Sequence, residues 1–204
     1  MNRHSTPYQM GQRRNPLIQT CTVSFLMIAM AGCVAPGGGS THFGSAGRRA
    51  NVFVTPEHRT ANSVAVMPFR AATELIGTSV SDMFVTELLK TQRYQLIERS
   101  QLANVLGEAE VALAGLTAGQ AARLGQMAGA DAVIIGSVSE YENVAQRGHT
   151  LPVVGVSVRM IDSTTSRILW SVDHAAQGPR GMTLAQHSRA VVHEMTAALY
   201  REIR

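Results

Sequence analysis

From Ser63 the apolar positions fall into two rhythms, short runs or alternations on one hand and helical stripes on the other. Ser63-Val64-Ala65-Val66-Met67-Pro68-Phe69 is a β-branched apolar run stopped by Pro68, which predicts a buried strand. Over 79–90, Val80, Met83, Phe84 and Leu88, with Leu89 beside them, oppose Asp82, Thr86, Glu87 and Lys90, an amphipathic helix. Tyr94 to Glu98 reads as a second strand. Ser100 suits an N-cap for a helix carrying Leu102, Val105 and Leu106 on one side. Residues 107–116 stay open between a helix extension and a packed loop. Thr117 and Gln120 fit a capping box, and Gly129 is placed to end the helix they open in a left-handed turn.

Asp131 to Tyr141 is rich in Val and Ile, as a central strand requires. Val154, Val156, Val158 and Met160 then alternate with Gly155, Ser157, Arg159 and Ile161. Asp162 to Ser166 turns the chain, and Ile168 to Asp173 returns it as a hairpin partner. Thr183 and Gln186 repeat the capping box before a stripe of Leu184, Val191, Val192, Met195, Leu199 and Ile203. The order β-α-β-α-α-β-β-β-α predicts an α/β domain, a mixed sheet with packed helices (α+β in the looser sense), over residues 63–204.

Ahead of this domain the pattern changes. Arg13 and Arg14 precede an uncharged stretch from Leu17 to Ala31, followed by Gly32-Cys33, the three-part layout of a secretory signal. The stretch is short of the ~20 apolar residues of a spanning helix and contains Gln19 and Thr20. Met30-Ala31-Gly32-Cys33 resembles the lipobox of bacterial lipoproteins, with Met30 where Leu is usual. The alternative, a buried apolar helix with an incidental cysteine, does not account for this order of segments. The expected organisation is a signal peptide over 1–32, a lipidated flexible tether over 33–62 and the folded domain over 63–204. Cys33 is the expected lipid attachment, each buried acyl CH₂ adding ~0.8 kcal/mol. Val34 follows it, and by resemblance to known lipoproteins the absence of Asp there favours the periplasmic face of the outer membrane. Cys21 lies in the removed segment, so no disulfide is expected. The Gly- and Ser-rich start of the tether behaves as a flexible coil. Asn51-Val52-Phe53-Val54 reads either as an added strand or docking arm, or as an unstructured tail.

Composition then matters through its distribution. The chain has 204 residues, 18 Lys and Arg against 14 Asp and Glu, but Arg3, Arg13 and Arg14 fall in the signal segment. Without them 15 basic residues face 14 acidic ones, which lacks the electrostatic footprint of a nucleic-acid binder. The sequence contains no nucleophile elbow, phosphate-binding loop, dinucleotide fingerprint or H-E-x-x-H pair. His187 and His193, six apart on one helix, face opposite sides and are not expected to share a metal. Glu140 and Glu142 share a face at a strand end, where acid–base work is conceivable and solvation is the commoner state. Glu98-Arg99 reads as a solvated turn, and Trp170 as core. No catalytic residue, metal or cofactor is expected, and the chain is read as a non-enzyme.

The quoted strands and helices carry a resemblance. Val64 to Phe69, Val80-Ser81-Asp82, Thr86 to Lys90 and Tyr94 to Leu102 resemble the core motifs of the CsgG/HfaB family, the curli secretion component and its relatives. Gly129-Ala130-Asp131 with Gly136 to Glu142 is similar to its "GAD…GSV-EYE" pattern, and Val158 to Asp162 with Ile168 to Ser171 to its terminal hairpin. At the turn, Thr165-Ser166-Arg167 stands where the family often has Thr-Gly-Glu. The resemblance implies an envelope lipoprotein that assembles with proteins, and its secreting members form rings with membrane-spanning hairpins. Residues 143–152 and 174–183, read as connections, are too short and polar for such hairpins, which need ~9–11 residues per strand. The expectation is a single periplasmic domain without transmembrane hairpins, acting with envelope assembly or cell-wall proteins and as a possible homo-oligomer. The alternative is an LpoB-like activator of a penicillin-binding protein.

Overall fold

The computed structural model describes residues 49–97, 99–107 and 115–204. Its elements are β1 (Asn51–Val54), a 3₁₀ turn (Pro56–Thr60), β2 (Ser63–Val66), α1 (Glu74–Lys90), β3 (Gln95–Ile97), α2 (Arg99–Leu106), α3 (Ala118–Met127), β4 (Ala132–Gln146), β5 (His149–Asp162), β6 (Ile168–Gln177) and α4 (Leu184–Ile203). They form one mixed six-stranded sheet in the order β1-β6-β5-β4-β2-β3. β2 is flanked in parallel by β3 and β4, and the other neighbours are antiparallel. The α/β mixed-sheet expectation holds.

Period-two alternation assigns each strand's side chains to two faces. Ile134, Val156, Val158, Met160, Trp170 and Val172 pack on one face beneath Val80, Phe84 and Leu88 of α1 and Val191, Met195 and Leu199 of α4. Val133, Ile135 and Ile161 lie on the other, beneath Leu102 of α2 and Ala121 and Leu124 of α3. That second cover ends near β5. Ser157 and Arg159 of β5, Asp173 of β6 and Asn51 and Phe53 of β1 are exposed beyond it.

Both capping boxes form, Thr117 with Gln120 and Thr183 with Gln186. Gly129 adopts φ +67° as expected. α1 starts five residues before the expected stripe, capped by the Thr73 side chain, which accepts from Ile76 N at 3.3 Å. Gly77 in its first turn presses against the Phe69 carbonyl oxygen, where a Cβ has no room. Leu89 is 53% exposed, whereas Glu87, expected on the polar side, is buried.

Three expectations are revised. Asn51–Val54 is a strand, paired with β6 from Asn51↔Asp173 to Val54↔Trp170. The segment expected as tether up to residue 62 therefore contributes β1 and the 3₁₀ turn to the folded body. Second, residues 143–152 are not a connection. They continue β4 and β5 as a ribbon paired through Gln146↔His149 and closed by Arg147 and Gly148, both at positive φ (49° and 75°), the two-residue primed turn that matches strand twist. β6 likewise runs on to Gln177, shortening the second connection. Residues 107–116 fall largely outside the described residues.

Candidate interaction surface

The expected lipid site, Cys33, lies outside the described residues, as does Glu98. The remaining expected positions are separated rather than gathered. Glu140 and Glu142 are exposed beside the bulge at Ser139, where the β4–β5 register shifts between Val138 and Glu140. Trp170 is wholly buried. His187 is buried with Nε2 2.8 Å from the Ala176 carbonyl oxygen, while His193 is on the outer side of α4 with Nδ1 2.9 Å from Glu87 Oε2. The two histidines do not converge. Arg99 is exposed and borders an apolar groove of about 300 Å³ formed by Val66, Val85, Leu89, Leu96 and Ile97, with Asp82 at the same rim.

Two polar pairs, each with one buried member, join elements distant in the sequence. Glu87 is held by Lys90 and His193. Burial pushes its carboxyl up, but those hydrogen bonds and charges outweigh it and leave it below the usual carboxylate range. His174, almost wholly buried in β6, lies 3.2 Å from Glu194 Oε2. Both pairs fasten α4, one to α1 and one to the sheet. They are contacts between elements, formed only when the chain folds.

The motif residues act in the framework. Asp131 Oδ2 accepts from the Asn62 and Ser63 backbone N–H groups, each at 2.9 Å, and its own N–H donates to the Ser63 carbonyl, so it fixes the start of β2 against β4. Asp162 Oδ1 accepts from the N–H groups of Thr164 (2.9 Å) and Thr165 (2.6 Å), shaping the turn before β6. Ser166, where the family often has Gly, sits at φ +58°, so the turn keeps its left-handed position and the pairing that follows.

What remains is surface suited to contact. β1 and β3 are the two edges of the sheet, Phe53 on β1 is 58% exposed, and the groove flanks β3. The β4–β5 ribbon extends four residue pairs past the last β5–β6 pair, Val153↔Gln177. Its tip is polar, with Arg180 Nη1 3.4 Å from His149 Nε2. Among the described residues no three His, Cys, Asp or Glu side chains are grouped to hold a metal ion, and no helix is long and apolar enough to cross a membrane.

Residues 47–180 match the family model described as the curli production assembly/transport component CsgG. The chain belongs to the CsgG family. No curated protein matches it in sequence. The CsgG-type fold is shared with PelC from Paraburkholderia phytofirmans, solved as a dodecamer, at 18% identity and TM-score 0.55, over 74% of this chain and 96% of that one. Lipoprotein GNA1162 from Neisseria meningitidis aligns at 20% identity and TM-score 0.47, over 67% and 99% of the two chains. LpoB from E. coli aligns at 16% and 0.42, over 85% and 90%. At 18% identity the likeness to PelC shows the fold alone.

Proposed function

We infer that this CsgG-family protein is a lipid-anchored periplasmic component of an envelope assembly or secretion system of the curli type, acting through protein–protein contacts rather than catalysis. The observation that carries the reading is the length of the β4–β5 ribbon. Four residue pairs beyond β6 reach roughly 14 Å at ~3.4 Å per residue, against a hydrocarbon core of ~30 Å. The tip of the ribbon is polar, and acyl chains on Cys33 are the anchor. Residues 1–32 are the leader, and the tether runs from Cys33 to the first strand.

Two sheet edges unpaired among the described residues support assembly with further copies, since an edge strand offers free N–H and C=O groups to a neighbour. PelC, which shares this fold, was solved as a dodecamer, and this supports a homo-oligomeric reading here. The LpoB-like reading is less well supported. With β1 starting at Asn51, 17 residues separate it from Cys33. A chain of that length reaches at most ~60 Å when fully extended, little for reaching an inner-membrane synthase.

Two measurements test the function. Globomycin treatment or Cys33→Ser should move the protein out of the outer-membrane fraction. Crosslinking in cells followed by co-purification should recover assembly or secretion proteins and further copies of this chain. Recovery of a penicillin-binding protein instead would establish the activator role, and discrete channels from the purified protein in planar bilayers would refute the pore-less reading.

A further inference from the structure

A cavity of about 210 Å³ lies on the sheet face that carries α2 and α3, lined among others by Pro68, Arg70, Gly115, Ser137, Ser157 and Arg159. It opens beyond the carboxyl end of β2. From there the chain runs through α1 on one face to β3, then returns through α2 and α3 on the other face to β4.

Its polar groups are held in place by the backbone. Arg70 forms an isolated bridge with Ser137, its N–H donating to the Gly136 carbonyl at 2.9 Å and its carbonyl accepting from Val138 N at 2.7 Å. Its side-chain stem runs over Gly115 at φ +78°, where a Cβ would come within 2.9 Å of Arg70 Cδ. Ser137 on β4 stands directly opposite Ser157 on β5, and Arg159 is two residues along β5 on the same face. The loop after β2, β4 and β5 thus bring two arginines and two serines to line one concavity.

Among the described residues no acidic side chain lines it. Among the described residues neither arginine has a carboxylate partner, and neither serine hydroxyl is hydrogen-bonded. On this face it is adjoined by Asp173, opposite Ser157 on β6, whose Oδ2 already accepts from Asn51 Nδ2 at 3.1 Å, and by Glu140, whose carboxylate lies against Gly155, two residues along β5 from Ser157. Two like charges facing one cavity repel unless an anion lies between them, and guanidinium forks match the oxygens of such an anion.

We propose that Arg70, Arg159, Ser137 and Ser157 form a binding site for one phosphate-type oxyanion. The volume suits a phosphate group with a small attachment, below the ~300–1,000 Å³ of pockets that enclose whole organic ligands. The phosphate is either free or carried by a larger molecule such as a lipid headgroup.

The test titrates the mature full-length lipoprotein, in detergent at low ionic strength, with inorganic phosphate and with glycerol 3-phosphate, followed by amide NMR shifts at Ser137 and Ser157. A parallel arm measures binding of the non-acylated Cys33→Ser chain to phosphatidylglycerol vesicles against neutral-lipid vesicles. Saturable binding weakened at least about tenfold by Arg70→Gln and by Arg159→Gln supports the site. The exposed control Arg189→Gln should leave it unchanged. Response to the soluble phosphates assigns a free ligand, and response to the vesicles alone, with the same arginine dependence, assigns a membrane-borne one. No saturable binding in either arm, or binding indifferent to both arginine substitutions, overturns the proposal. Ser137→Ala, which keeps both charges, should weaken binding less than either arginine change.

Discussion

Trp170 Nε1 donates to Tyr94 Oη at 3.1 Å, joining β6 to the segment before β3 across 76 residues of chain. Trp170 is wholly buried and stacks at a tilt on Phe84 of α1, 6.4 Å between ring centres. Burial pushes the Tyr94 hydroxyl above its usual pKa, so it remains a neutral phenol through the physiological range. Tyr94→Phe would leave a buried indole N–H without an acceptor, at a cost of about 1–3 kcal/mol. Urea unfolding followed by the single tryptophan should show a lower midpoint with an unchanged slope.

Acid stability should depend on Glu87 and Asp162. For Asp162, burial raises the carboxyl, and the Thr164 and Thr165 hydrogen bonds together with Arg167 bring it lower than usual. A carboxyl depressed in the folded state adds stability above its unfolded pKa, and that stability is lost as pH falls through the folded value. The unfolding midpoint should therefore fall as pH drops below the ordinary carboxylate range. Glu87→Gln and Asp162→Asn should each flatten that acid limb, as a chemical-denaturation series in pH would show.

Gly77→Ala should be disruptive despite the better helix propensity of alanine. The added methyl meets the Phe69 backbone carbonyl, which has no rotamer with which to yield. Overpacking of this kind costs roughly 1–3 kcal/mol. Thermal unfolding should show the loss. A stabilised variant would mean that α1 can shift away from the β2 exit at little cost.

At the ribbon tip Arg147 occupies a left-handed conformation ahead of Gly148. Arg147→Asn places the preferred residue in a primed turn and should stabilise by about 0.5–1 kcal/mol. Gly148→Ala should do the reverse. Hydrogen exchange at Gln146 and His149, the hydrogen-bonded pair that flanks the turn, is the local readout.

How far the sequence reached depended on whether a residue's role was local. The capping boxes at Thr117 and Thr183, the Gly129 turn and the stripes of α1 and α4 involve partners three or four residues apart, so spacing sufficed. The ribbon from Asn143 to Pro152 was read as a loop because every residue from Asn143 to Thr150 is exposed, which removes the hydrophobic alternation that marks a half-buried strand, while the backbone pairing that defines it leaves no compositional trace. Asn51–Val54 was undecided for a related reason, since four residues acquire strand identity only from the β6 edge that receives them.

The order of elements, the signal-like leader with Cys33 and the family motifs were set by the chain itself, through local propensity and burial period. The exchange of Leu89 for Glu87 at the buried surface of α1, the uncovered sheet face and the convergence of Arg70 with Arg159 were decided in three dimensions. Those features arise where helices and strands distant in sequence cross, and a one-dimensional pattern carries the period of each element but not the angle or register at which two of them meet.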